Sequence, residues 1–89
     1  MVVRRRVVVE GRVQGVWFRE TCRRVAADAG VGGWVRNRPD GRVEACFEGE
    51  EDGVSRLVSW CRVGPRWAVV TGVEVIEEEP VGEGAFRVS

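Results

Sequence analysis

The chain has 89 residues, enough for one domain with a single core and little apolar surface to spare. Its 14 basic and 14 acidic residues cancel, so the basic excess expected of most nucleic-acid binders is missing. All basic residues are arginine and histidine is absent; this excludes a lysine nucleophile, Schiff base or phosphate ligand, and removes Ser-His and Cys-His pairs and the commonest metal ligand.

Cys22, Cys46 and Cys61 are odd in number, far apart and without a C-x-x-C, which argues against structural zinc and a disulfide framework. Each falls on an apolar phase of its element and is expected as a small buried thiol. The opening "MVVRRRVVVEG" lacks the apolar stretch of roughly 7–15 residues that a signal peptide needs. No run approaches the ~18 residues of a membrane span. The expectation is one domain over residues 1–89, cytoplasmic, with no membrane partner.

In chain order, the valine-rich "RRVVVEGRV" predicts a first, central strand. Phe18, Cys22, Val25, Ala26 and Ala29 then recur at helical spacing, opposite Glu20, Arg23, Arg24 and Asp28, and Gly30 stops the helix. "VGGWVRN" and "RVEACFEGE" predict strands two and three, joined by the turn Pro39-Asp40-Gly41 as an antiparallel hairpin. Acidic residues of "EEDG" mark the start of a second helix over roughly residues 51–63, with Val54, Leu57, Val58 and Cys61 inward. Gly64-Pro65 ends it. "VVTGVEVIEEE" is a fourth strand with Val73, Val75 and Ile76 inward and a solvated "VIEEEP" end; "FRVS" is a short last strand. Trp34 and Phe47 are expected in the core, Trp60 and Trp67 around the 64–70 loop, and Asp40 as a turn residue.

The order β-α-β-β-α-β plus a tail packs most simply as a split βαβ sandwich, an α+β fold with both helices on one face of an antiparallel sheet. Strands one and two then run the same way, and the loop 11–18 and Asn37 reach one sheet edge. With strand three between them the separation is about 10 Å, two strand spacings.

The loop in "EGRVQGVWFRET" (residues 10–21) contains no Ser, Thr, Asp or Asn between positions 11 and 18. The helix from Phe18 therefore starts without a side-chain cap, and its first N–H groups stay free. Gly15 can take positive φ and turn successive amides inward as a nest. Such a nest at a helix N-terminus favours an anion, and Arg19 adds a forked cation. An ordinary turn glycine, a solvated arginine and a later cap at Thr21 give the same spacing, which leaves both readings open. No Walker-type pattern is present.

"GRVQGVWFR" (11–19) resembles the signature loop of acylphosphatases, Gly-x-Val-Gln-Gly-Val-x-Phe-Arg. "GWVRNRPDGRVE" (33–44) is similar to their second signature, "GPRWAVV" (64–70) to the loop before strand four, and Phe86 with Val88 to the closing strand. The resemblance covers nearly the whole chain. It implies a ferredoxin-like fold and hydrolysis of acyl phosphates, a hydrolase acting on acid anhydrides without cofactor or metal. It places the phosphate-binding arginine at Arg19 and the water-orienting asparagine at Asn37. It places the phosphate-cradling amides on Gln14, Gly15, Val16, Trp17, Phe18 and Arg19. Many bacterial members carry a small residue where this chain has Trp17, which bears on access and rate.

That chemistry suits these residues. The leaving carboxylate has a parent acid of pKa about 4 and departs without a proton. Catalysis can rest on placing water in line and neutralising phosphoryl oxygens. The expected partners are a small acyl phosphate and inorganic phosphate or sulfate as competing anion, bound by a monomer. A non-catalytic phosphometabolite sensor on the same scaffold is the alternative, and related domains occur inside larger carbamoyl-transfer proteins. An RNA-recognition module shares the element order, but strand one has no aromatic and strand three offers only Phe47.

Overall fold

A computed structural model describes residues 1–89. Alternating valines build β1 (Val2–Arg12): Val3, Val7 and Val9 are buried under the helices, while Arg4, Arg6 and Val8 point to the other face. α1 (Phe18–Ala29) buries Phe18, Cys22 and Ala26 at four-residue spacing and stops at Gly30 in the left-handed region. There the Val31 amide bonds back to the Ala26 carbonyl at 2.9 Å. β2 (Gly32–Asn37) and β3 (Val43–Glu50) form the expected hairpin. α2 (Glu51–Cys61) buries Val54, Leu57 and Cys61. β4 (Val69–Glu78) and β5 (Arg87–Val88) complete the sheet.

The sheet order is β4-β1-β3-β2-β5, so β3 does lie between β1 and β2. The sheet is mixed and not wholly antiparallel, because β5 runs parallel to β2. After β4 the chain turns back to reach the free edge of β2, which itself runs opposite to β4. Glu48 holds that crossing: its carboxylate accepts the amides of Val81, Gly82 and Glu83 at 2.8, 2.8 and 2.9 Å. Phe86 then stacks on Phe47 with centroids 5.7 Å apart.

The helix-free face departs from the sequence-based expectation. Trp34 is only partly buried there, under Arg36, because register puts Val35 and not Trp34 under the helices. Ile76 pairs opposite Arg6 on this open face, and Val75, on the helix face, is still 36% exposed at the sheet edge. The "VIEEEP" end is not merely solvated: Glu78 bridges Arg4 at 3.0 Å and Arg6 at 2.8 Å. Cys46 sits beneath that network and not on the apolar face. Burial raises its thiol to about 11. Cys22 and Cys61 are in the apolar core, and all three thiols are free. α2 stops two residues before the predicted end, where the Val63 and Gly64 amides both turn onto the Trp60 carbonyl.

Candidate active site

The site begins where β1 leaves the sheet. Its register against β4 shifts between Glu10 and Gly11, and Gly11, at φ 124, lies so close to the Val69 carbonyl that a Cβ would meet it at 2.2 Å. The bulge turns the chain into the loop 13–17. Gly15 takes φ 73 as expected, and Trp17, the residue before the helix, is also left-handed at φ 65, ψ 23. The first helical bond runs from the Thr21 amide to the Trp17 carbonyl at 3.1 Å. No side chain caps this end, and Thr21 starts no later helix. The amides of Gln14 through Arg19 donate to no protein acceptor, so a row of donors is left at the positive end of the helix dipole.

Packing fixes where that row points. Phe18 is 2% exposed, its ring 5.0 Å from that of Trp60, and Gly64 lets the loop after α2 close over it, where a Cβ would stand 3.1 Å from the Phe18 ring. The helix N-terminus is thereby locked against α2.

A cleft of about 420 Å³ opens over the loop. Gly15, Trp17, Phe18, Arg19 and Asn37 line it, joined by Val13, Glu20 and Val88. Asn37 is the last residue of β2, paired with Val43 on the helix side of the sheet. Its carboxamide makes no hydrogen bond to the protein and stays accessible. Arg19 is in no ion pair; its Nη1 donates to the Ser89 main-chain oxygen at 3.1 Å. The neighbouring Glu20 is already neutralised by Arg23, with bonds of 2.9 and 2.6 Å that hold its carboxyl below the usual range. Arg19 therefore remains the uncompensated charge of the cleft.

Two predicted residues behave differently. The side chains of Gln14 and Val16 do not line the cleft. Val16 is core. Gln14 Nε2 donates to the carbonyls of Arg38 at 2.8 Å and Arg42 at 3.0 Å, tying the loop to the β2–β3 hairpin. That tether, the Ser89 contact and the wall residue Val88 escaped the sequence reading. Val13 and Glu20 could have been found from adjacency to the loop alone; Val88 required knowing that β5 runs beside β2.

A family model for acylphosphatases matches residues 5–88. The chain belongs to the acylphosphatase family. It is 62% identical over 80 residues to an acylphosphatase of Rubrobacter xylanophilus, covering 90% of this chain and 72% of the relative. An acylphosphatase structure from Coxiella burnetii superposes with a TM-score of 0.94 at 38% identity, covering 99% and 93% of the two chains. One from Bacillus subtilis gives 0.93 at 37%, covering 100% and 99%. The acylphosphatase fold also explains the missing base platform of an RNA-recognition module. Phe47 is fully buried under the helix layer, and the open faces of the central strands carry Arg4, Arg6, Glu44 and Glu48 instead.

Proposed function

We propose that Arg19 and Asn37 carry the hydrolysis of acyl phosphates that membership of the acylphosphatase family assigns to this chain. The observation that supports this is the convergence, in one cleft, of unpartnered loop amides, an unpaired guanidinium and a free carboxamide. The substrate's phosphoryl group takes the anion site: amides from Gln14 to Arg19 and the Arg19 fork bind its oxygens and gain strength as charge develops there. The Ser89 contact is a single, exposed hydrogen bond that a dianion readily replaces.

The Asn37 side-chain oxygen accepts a hydrogen bond from a water and aims its lone pair at phosphorus, in line with the departing carboxylate. The P–O bond to the acyl group breaks as the new P–O bond forms. The carboxylate leaves unprotonated, and a phosphoryl oxygen takes the water's proton. Histidine is not needed. On this reading the protein is a cytoplasmic monomer, and inorganic phosphate and sulfate compete for the anion site.

The test follows benzoyl phosphate loss by absorbance. Hydrolysis is expected with competitive inhibition by inorganic phosphate, unchanged by chelators, and with no enzyme-derived inflection in kcat near pH 6.5. Phosphate binding without hydrolysis would instead identify the non-catalytic sensor.

A further inference from the structure

The exposed indole of Trp17 adds little to the packing of the folded chain. Its backbone occupies the left-handed region at φ 65, where a bulky residue is rare. Its indole is 76% exposed, so burial does not offset that strain. The other three tryptophans are engaged: Trp60 with Phe18, Trp34 with Arg36, and Trp67 with Arg66 at 4.9 Å. Trp17 has neither an aromatic nor a cationic partner. Glycine at this position would relax the backbone and forfeit little packing.

What Trp17 does touch is the cleft. Val88, 41% exposed, lines the same cleft from β5, and buried Val13 and Phe18 add apolar lining. The cleft thus combines donors, from Arg19 and the loop amides, with apolar lining from Trp17, Val88, Val13 and Phe18. A ligand that uses both carries a phosphoryl group close to an apolar group, and an exposed indole favours a flat one. We propose that Trp17 is the platform for the acyl group and sets a preference for aromatic over small acyl phosphates. This rests on the reading of Arg19 and the loop amides as the phosphate site.

The experiment compares kcat/KM for benzoyl phosphate and acetyl phosphate in the wild type, Trp17→Gly and Trp17→Phe. The benzoyl-to-acetyl ratio is expected to fall roughly three- to ten-fold in Trp17→Gly, the range an aromatic contact contributes, and to be largely kept in Trp17→Phe. A ratio unchanged in Trp17→Gly overturns the proposal, as does a loss equally large in Trp17→Phe, which would trace to the loop and not to the ring. Calorimetric affinities for benzylphosphonate and methylphosphonate in the same three proteins should shift by the same ratio without any turnover. If the wild type hydrolyses neither acyl phosphate, the hydrolytic reading fails, and the phosphonate ratio still decides Trp17.

Discussion

Arg19 and Asn37 should fail in different ways when truncated. Arg19 supplies charge and a planar fork, so Arg19→Ala should lose about 10³–10⁵ in kcat/KM and weaken inhibition by inorganic phosphate together. Asn37→Ala removes only the carboxamide proposed to aim the water. Its kcat should drop by about 10²–10³ while the phosphate inhibition constant stays close to that of the wild type. Near-normal turnover in Asn37→Ala would remove the water role. At this scale both side chains were legible, because the two signatures fix residue type and number. The backbone of Trp17 was not. Glycine announces positive φ through its missing Cβ, whereas a tryptophan gives no such signal.

The loop and the β2–β3 hairpin work as one element because of Gln14. Its two bonds to the Arg38 and Arg42 carbonyls couple the amide row to the strand that ends in Asn37. Gln14→Ala frees the loop, while the Arg38 and Arg42 carbonyls keep the hairpin's own amides of Gly41 and Arg38. It should cost about 1–2 kcal/mol in urea denaturation and lower kcat well beyond what that loss explains. An unchanged kcat would show that the loop keeps its place without the tether. The helix starts at Phe18 and at Glu51 followed from periodicity and from the acidic first turn. The end of α2 did not, since the Gly64 amide competes for the Trp60 carbonyl only once the loop has folded over Phe18.

Across the whole molecule, the most buried of the paired charges gather on the open face of the sheet. Arg4 lies among Glu48, Glu78 and Glu83 at 3.1, 3.0 and 2.9 Å, and Glu44 is shared by Arg6 and Arg36. Burial alone would push the Glu48 carboxyl up, but the amides of residues 81–83 and the Arg4 guanidinium outweigh it and hold it near about 2, against an ordinary 4.5. A carboxyl lowered by folding stabilises fully above its unfolded value and loses that contribution as pH falls toward its folded one. Melting temperature should therefore decline between about pH 4.5 and 2. Glu48→Gln should be destabilised by about 2 kcal/mol at pH 7 and show a shallower acid decline. Because Glu48 anchors the crossing to β5, the variant should also loosen Val88 at the cleft wall. A pH profile identical to that of the wild type would remove Glu48 from that role.

The sequence alone determined the element order, the core face of each helix and the positions of the two family signatures, with Arg19 and Asn37 in them. These are local properties: periodicity, cap chemistry and the spacing of a signature depend only on neighbouring residues. Tertiary structure decided the parallel placement of β5, the tether from Gln14, the Ser89 contact on Arg19 and the cleft that both Trp17 and Val88 line. The bonds from Gln14 and Arg19 join residues 24 to 70 positions apart. Whether they form depends on strand register and on where the chain crosses after β4, and no short window of the sequence carries that geometry.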